Sequence, residues 1–436
     1  MQAAATPPRV GWRDLSPTVR LLIVNVFGIN LGFFMVLPFL ATHLRDDLGF
    51  AAALVGTIMG LRTLFQQGLY VVGGTAADRL DLRLMIMLGC GLRVAAFGLF
   101  AVVTSPAGII AATAITGIAG AVFAPASQTY LTHASPGRRA ETFAWVNVAA
   151  NAGVLIGPLL GALLLAVDFR LVSAIACGVF AILTIAQGFV LPAMRRPEPS
   201  TGIIQSWREV VTNRRFFAYT LAGAAYFALF NQLYLAIPLE AQRVTGHASA
   251  VTAVFVVSTT VGLTTGVRLV AACRRRWSSA ASMALGLSLL AAGFLPAAVA
   301  APLVPTAGAA LDPAAALTAA LPVLVGTALF SAGVSITSPF MLELIPIIGS
   351  ERLSGTYFGF FYLVSSLLAA AVSSLTGALL DLAGLRWLPF LALFAVGAAG
   401  SVGMAWMRRP VDRLQRAAAR NGAAPVTDSD QHERRR

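Results

Sequence analysis

Long apolar stretches separated by short polar connections form the dominant pattern along the chain. Twelve stretches hold about 20 or more mostly apolar residues, the length that an α-helix needs to cross the hydrocarbon core of a bilayer. Spans 1 to 6 cover residues 21–42, 54–76, 84–103, 107–130, 143–167 and 171–191, and spans 7 to 12 cover residues 216–239, 250–272, 280–303, 314–340, 357–380 and 388–407. The pattern predicts an all-α integral membrane protein with twelve transmembrane helices in two six-helix halves.

The longest polar stretch between spans separates the two halves. Within it, apolar residues recur at helical spacing beside arginines, which is typical of a short helix lying in a membrane interface. The predicted organisation is a polar N-terminal segment (1–20), a first bundle (21–192), a linker with an interfacial helix (193–215), a second bundle (216–407) and a basic tail (408–436).

Composition agrees with a membrane location. Of the 436 residues 58% are hydrophobic and only 11% are charged, whereas soluble domains carry about 25% charged residues. The first apolar run is too long for the core of a signal peptide and lacks a small-residue cleavage pattern, so we expect it to be retained. Three scattered cysteines favour neither a disulfide framework nor a metal site.

The positive charge is distributed unevenly between the two sides of the predicted bundle. The chain has 31 basic residues and a net charge of +13, and every basic residue is an arginine. Of these, 24 fall on the side of the termini and four on the opposite side, namely Arg45, Arg170, Arg243 and Arg386. Cytoplasmic loops are enriched in arginine and lysine. The distribution predicts that both termini are cytoplasmic, and it makes nucleic-acid binding unnecessary as an explanation of the charge.

Short similar segments occur at corresponding positions in the two halves. Leu37-Pro38 corresponds to Ile237-Pro238, Pro125 corresponds to Pro339, and the run Gly-Ala-Leu-Leu occurs at residues 161–164 and 377–380. Transporters are often built from repeats that rock against each other to give alternating access. These similar segments favour a transporter built from two related halves.

The loop between spans 2 and 3 resembles the signature of the major facilitator superfamily, G-x-x-x-D-R-x-G-R-R/K. Gly74, Asp78, Arg79 and Arg83 match this motif, whereas Asp81 and Leu82 replace its second glycine and the basic residue after it. The resemblance implies that Asp78 latches the two halves together on the cytoplasmic side. The alternative is a solvated turn.

Span 5 carries a second motif of the same family, G-x-x-x-G-P-x-x-G, which is associated with drug and proton antiporters. Its residues here are Gly153, Gly157, Pro158 and Gly161. Glycines four residues apart form a smooth stripe that permits close helix packing. We expect this stripe to pack against the opposite half, and Asn147 and Asn151 either to face a cavity or to bond between helices.

Over nearly its whole length the chain resembles the MdtH-type bacterial multidrug exporters of the drug:proton antiporter branch. Residues 31–34, 60–68, 93–98, 168–172 and 355–360 carry this resemblance. It implies a monomer in the bacterial inner membrane that exports small lipophilic compounds in exchange for protons. The expected partners are the lipid bilayer, the substrate and protons, with no cofactor and no metal.

Only arginines bring charge into the predicted spans. Arg62, Arg93 and Arg268 lie within spans, and no Asp or Glu does. An intramembrane charge is costly and faces the bundle interior or water, so Arg62, Gln66 and Arg93 are candidates for the substrate pathway. The candidate proton carriers are Asp78 and the residues at span ends: Glu240, Glu343, His43 and His133. The sign of the buried charge favours neutral or anionic substrates.

Span 7 has an aromatic stripe with neighbouring amides. Tyr226, Phe230 and Tyr234 are four residues apart and Asn231 follows Phe230. An apolar wall with a few polar groups suits a lipophilic ligand, although helix packing or a lipid-facing surface would produce the same stripe.

Two other classes of protein remain as alternatives. A nutrient or metabolite importer of the same fold differs only in direction and substrate, and the span 5 motif disfavours it. A polytopic membrane enzyme would need acids, nucleophiles or metal ligands within its spans, which makes it the remote alternative.

Overall fold

A computed structural model describes residues 15–70, 72, 73, 76, 80–134, 139–165, 167–194, 203–307, 310–349, 354–382 and 384–422. These residues contain helices and connections and no β-strand. Among them, eleven helical stretches are long and apolar enough to cross a membrane. The remaining predicted span, span 2, is represented by the helix Ala52–Gly68, which is 17 residues long within the described part. The prediction of an all-α membrane fold is confirmed.

The first half consists of six helices. They are α1 Pro17–Thr42, extended by a π-helical turn His43–Asp47, α2 Ala52–Gly68, α3 Leu82–Val102, α4 Pro106–Ala134, α5 Arg139–Leu165 and α6 Phe169–Val190. Side chains that accept hydrogen bonds from the first free N–H groups begin several of them. Ser16 caps α1, Asp81 caps α3 and Asp168 caps α6.

The second half begins after a short helix, α7 Ile203–Thr212, that coincides with the predicted linker helix. It continues with α8 Arg214–Phe230, a 3-10 turn Asn231–Tyr234, α9 Ala236–Thr245, α10 Ser249–Arg276, α11 Ser279–Ala292, α12 Leu295–Ala300, α13 Pro313–Ile348, α14 Ser354–Leu380 and α15 Leu388–Gly422.

Two predicted spans are broken rather than continuous. Span 7 divides into α8, the 3-10 turn and α9, and span 9 divides into α11 and α12. Proline has no N–H to donate to the carbonyl four residues earlier. For Pro238 that carbonyl belongs to Tyr234, where the 3-10 turn ends, and for Pro296 it belongs to Ala292, where α11 ends. By contrast, α1 passes through Pro38 without a break.

Two helices are longer than their hydrophobic pattern predicts. α13 continues to Ile348, eight residues past the predicted end, and α15 continues from the predicted span into residues 408–422. The first part of the predicted tail is therefore helical. Hydropathy marks where apolar residues end, but intrahelical hydrogen bonds can continue beyond that point.

The helices form two bundles that meet along one long seam. In the first half α1 packs against α5 and α6, and in the second α11 packs against α13 and α15. The seam is made mainly by α2 and α14, where small residues allow the backbones to approach. A Cβ added to Gly60 would lie 2.8 Å from the Cα of Ala370. We call the end of the bundle that holds the start of α1 and the end of α15 the terminal face, and the opposite end the far face.

Candidate substrate cavity

A cavity of about 290 Å³ lies between the two halves. The helices α1, α2 and α3 supply one wall, and α8 with the 3-10 turn supplies the other. Its apolar surface is mostly aromatic, from Phe33, Phe34, Phe227, Phe230 and Tyr234. Six of the predicted pathway residues line this central cavity: Arg62, Gln66, Arg93, Phe230, Asn231 and Tyr234.

Arg62 of α2 is the polar centre of the central cavity. Its side chain is buried and donates from Nη1 to Gln66 Oε1 at 2.9 Å and from Nη2 to Thr63 Oγ1 at 3.3 Å and to Asn231 Oδ1 at 3.4 Å. The guanidinium carbon lies 5.6 Å from the ring centres of both Phe33 and Tyr234, within the range of a cation–π contact. Arg62 is therefore held by neutral acceptors and aromatic faces.

Arg93 of α3 connects the central cavity with a second space. This side cavity, of about 380 Å³, lies within the first half toward the terminal face and shares Asn30 and Arg93 with the central one. Arg93 donates to the carbonyl of Gly89 at 3.3 Å and lies 5.0 Å from the ring centre of Phe123. Asn147 lines the side cavity, and Asn151 donates to the carbonyl of Asn147 at 2.8 Å.

Within the described residues, neither buried arginine is neutralised by a carboxylate. No Asp or Glu among the described residues lines either cavity or lies within 4.0 Å of the two guanidinium groups. The Nε atoms of both arginines are buried without a hydrogen-bond acceptor. Buried donors are normally paired, and of the 14 buried side-chain polar atoms without a partner among the described residues, these are the two that belong to a cationic group.

A chain of side-chain hydrogen bonds joins the halves at the cavity wall. Thr63 of α2 donates to Asn231 Oδ1 at 2.7 Å, and Asn231 Nδ2 donates to Ser373 Oγ of α14 at 2.7 Å. The 3-10 turn places Asn231 here, since it interrupts the helix at the depth of Arg62. Ser373 and Thr63 were not predicted, because serine and threonine are common in membrane helices and give no distinctive pattern.

The far face is closed by an ion pair and a helix cap. Asp381, just after α14, accepts hydrogen bonds from the backbone N–H groups of Ala52 and Ala53 at the start of α2, at 3.1 and 2.9 Å, and from Arg45 at 3.0 Å. Burial raises the pKa of this carboxyl, but the three hydrogen bonds outweigh burial and leave its pKa below the ordinary value. A bond of 2.8 Å from Gln242 to Asp46 adds a second link. The structure is thus closed at the far face.

The glycine stripe of the span 5 motif packs within its own half. Cβ atoms added to Gly153, Gly157 and Gly161 would lie within 3.0 Å of atoms of α1. The expectation that the stripe faces the opposite half is wrong, because the face of a helix can be read from periodicity but its partner cannot. Pro158 does reach the second half, where its carbonyl accepts a bond of 3.5 Å from Thr252 of α10.

The predicted acids at span ends are both in ion pairs. Glu240 is buried and binds Arg243 through two hydrogen bonds of 2.7 and 2.6 Å. Glu343 binds Arg274 at 2.6 Å and accepts from Ser279 at 3.0 Å. Neither lines the two cavities. Tyr226 lies behind the cavity wall, with its ring stacked on Phe230 at 5.7 Å.

The predicted cytoplasmic latch lies largely outside the described residues. Gly74, Asp78 and Arg79 are among the residues that the structure does not describe. Arg83 is described, and its guanidinium donates to the carbonyl of Gly188 in α6 of the same half. Asp81, which replaces the motif's second glycine, caps α3 through the N–H groups of Arg83 and Leu84.

Comparison with known families and curated proteins gives a consistent result. A model of the Major Facilitator Superfamily matches residues 22–373. An uncharacterized MFS-type transporter of Mycobacterium tuberculosis is 38% identical over 361 residues, which cover 81% of this chain and 83% of that protein. The multidrug resistance protein MdtH of Photorhabdus laumondii is 32% identical over 277 residues, which cover 63% of this chain and 69% of that protein.

Solved structures share the fold at low sequence identity. A peptide transporter POT crystallised in complex with sulfate has a TM-score of 0.80 and 15% identity, over 93% of this chain and 97% of that one. A POT family transporter in complex with 5-aminolevulinic acid has a TM-score of 0.76 and 12% identity, over 93% and 98%. At this level of identity the likeness concerns the fold alone. The matched family and relatives are transporters, not enzymes.

Proposed function

The chain belongs to the major facilitator superfamily, and from this premise we propose that it exports small lipophilic compounds in exchange for protons by alternating access. The MdtH relatives, with 31 to 34% identity, support multidrug export. The Arg distribution supports a bacterial inner-membrane protein with both termini in the cytoplasm, and we propose that it acts as a monomer.

The central cavity is the observation that carries this proposal. It lies between the two bundles and combines five aromatic side chains with seven polar residues, namely Asn30, Arg62, Thr63, Gln66, Gln67, Arg93 and Asn231. Ligand sites for small molecules combine apolar walls with polar groups that fix orientation, and they have a volume of about 300–1,000 Å³. The central and side cavities together reach that size.

Closure at the far face supports the alternating part of the proposal. Asp381 and Asn231 join the halves at two depths, one at the far face and one beside the cavity. In a rocking mechanism the far-face links must break before a substrate can leave on that side. Asp78 would then hold the terminal face closed in the alternate state.

Everted membrane vesicles test the direction and the coupling. Vesicles that contain the protein should accumulate members of a panel of antibiotics and dyes when protons are supplied to their interior, and a protonophore should abolish the accumulation. Vesicles from cells with the empty vector are the control.

Two results would contradict the proposal. If an imposed proton gradient moves no compound of the panel while the purified protein stays folded, export of lipophilic compounds loses its support. If accumulation occurs only in right-side-out vesicles and with nutrient-like solutes, the protein is an importer of the same fold.

A further inference from the structure

We propose that Arg62 and Arg93 bind the acid group of an organic anion whose apolar body lies against the aromatic wall of the central cavity. This inference rests on the proposed function, since it names the class of compound that the exporter carries. It assigns the substrate charge, which the family resemblance leaves open.

Charge balance in the cavity is the first argument. Each of the two arginines is only 7% exposed, and both line the same central cavity. Among the described residues, their partners are amide, hydroxyl and carbonyl oxygens and aromatic rings, none of which carries a negative charge. A buried charge without a counterion is strongly unfavourable. An anion that enters the cavity supplies the missing counterion.

The unused hydrogen-bond donors are the second argument. Nε of Arg62 and Nε of Arg93 are buried and have no acceptor, although an arginine fork is well suited to a carboxylate. A carboxylate or similar acid offers several lone pairs, and it accepts from these enclosed donors once the guanidinium groups turn toward the cavity that both arginines line. A cationic compound would instead add a third positive charge to the cavity.

The surroundings of Arg62 define the remainder of the ligand. Phe33 and Tyr234 flank the guanidinium from opposite halves, each with its ring centre at 5.6 Å, and Phe230 makes an edge-to-face contact with Tyr234 at 6.0 Å between ring centres. Aromatic rings favour a flat apolar body through stacked and edge-to-face contacts. The expected ligand is therefore an amphipathic acid with an aromatic or otherwise apolar body, and not an inorganic ion.

Binding of three matched probes to the purified full-length protein tests this assignment. 2-Naphthoate, 2-naphthamide and 2-naphthylmethylammonium share an apolar body and carry a negative, a neutral and a positive polar group. We expect isothermal titration to show naphthoate binding about tenfold or more tighter than naphthamide, and the cation binding weakest, because hydrogen bonds to charged groups are the stronger ones.

Substitution of single arginines tests which residues cause the preference for the anionic probe. Arg62→Met and Arg93→Met should each reduce the ratio of naphthoate to naphthamide affinity to about one to threefold, with naphthamide binding retained as evidence of folding. Arg268→Met is the matched control, since Arg268 is an exposed arginine of α10, and it should keep the wild-type ratio. If a methionine variant no longer binds naphthamide, the lysine variant at the same position replaces it in the test. The lysine variant should bind naphthamide and show a lower ratio of naphthoate to naphthamide affinity than the wild-type protein.

The possible failures can be told apart. Equal affinity for the three probes, or a preference for the cation, overturns the assignment of charge and leaves lipophilic export standing. Displacement of naphthoate but not naphthamide by millimolar chloride assigns the arginines to an inorganic anion and overturns the organic one. Absence of binding by all three probes counts against the cavity as a lipophilic site and so against the proposed function as well.

Discussion

Replacement of Asp381 by asparagine should open the far face. The carboxylate joins the halves in three ways, through the N–H groups of Ala52 and Ala53 and through Arg45. Asparagine is nearly isosteric but keeps only one acceptor oxygen and has no charge. The substitution therefore removes one cap bond and the ion pair while leaving the packing of α2 and α14 intact.

The magnitude follows from exposure and geometry. A hydrogen bond to a charged group contributes about 1.5–3 kcal/mol when buried, but the side chain of Asp381 is 33% exposed, and solvent screening reduces an exposed ion pair to about 0–1 kcal/mol. Loss of the cap costs about 1 kcal/mol. We expect a total of about 1–2 kcal/mol, which lowers the ratio of far-face-closed to far-face-open molecules by a factor of about 5 to 30.

Spin labels on the two halves measure that ratio. Ala107 and Leu303 are exposed residues at the far face of the first and second half, and double electron–electron resonance between labels at these positions in a cysteine-free protein reports opening. Asp312→Asn is the matched control, because Asp312 caps α13 through the N–H groups of Ala314 and Ala315 within one half. A distance distribution that changes equally in both variants, or in neither, would refute the latch.

The pH dependence of opening provides an independent check. The pKa of Asp381 is lowered from 3.8 in the closed state, so its contribution is complete above the unperturbed value and is lost only as the pH falls through the lowered pKa. Between about pH 8 and pH 5 the populations of the wild-type protein should not change on account of this residue. Opening on acidification within that range would place the latch elsewhere.

Four further predictions concern packing, the seam, an acid and the terminal face. Gly157→Val should lower the stability by about 1–3 kcal/mol through overpacking, because an added Cβ already lies 2.9 Å from the Leu31 carbonyl oxygen. Thermal unfolding measures this loss, and Gly178→Val is the control because nothing lies within 4 Å of a Cβ added there. Asn231→Ala should reduce export at least about tenfold, since it breaks the bonds between the halves and leaves Arg62 with one acceptor fewer; unchanged vesicle transport would contradict this. Glu240→Gln should cost about 2 kcal/mol of stability by weakening a buried ion pair but leave the pH profile of export unchanged, and an altered profile would identify Glu240 as a proton carrier. Asp78→Asn should abolish transport with normal expression, and unaltered transport would remove its latch role.

The helices could be predicted from the sequence because a bilayer imposes one length and one composition on every span. Their interruptions could not be predicted in the same way. Pro38 and Pro238 occur in matching dipeptides, yet α1 is continuous and span 7 is broken. Whether a membrane helix tolerates a proline depends on neighbours that can satisfy the freed carbonyl, and those neighbours are set by the tertiary packing.

The candidate site was partly predictable for a similar reason. Arg62 and Arg93 stand out because a charge in an apolar span is costly and requires an explanation. Thr63 and Ser373 do not stand out, since a hydroxyl in a helix can bond to its own backbone, as Thr116 does with Ala112. Only the meeting of α2, the 3-10 turn and α14 shows that Thr63 and Ser373 bond across the halves.

The charges of the cavity also affect the energetics of transport. Both arginines are fixed and no Asp or Glu among the described residues lines the cavities, so a proton on a cavity carboxylate is not available to balance the substrate. If the substrate is an organic anion, an inside-negative membrane potential favours its export by about 2.3 kcal/mol per 100 mV, and each proton that enters in exchange adds the same amount. Exchange of one anion for one proton then moves two charges per cycle, which makes the electrical potential a larger contribution than the pH difference whenever the two gradients are of similar size. Such an exporter would not need an intramembrane acid to bind its substrate, because the arginines would provide the counterion and the potential would provide much of the driving force.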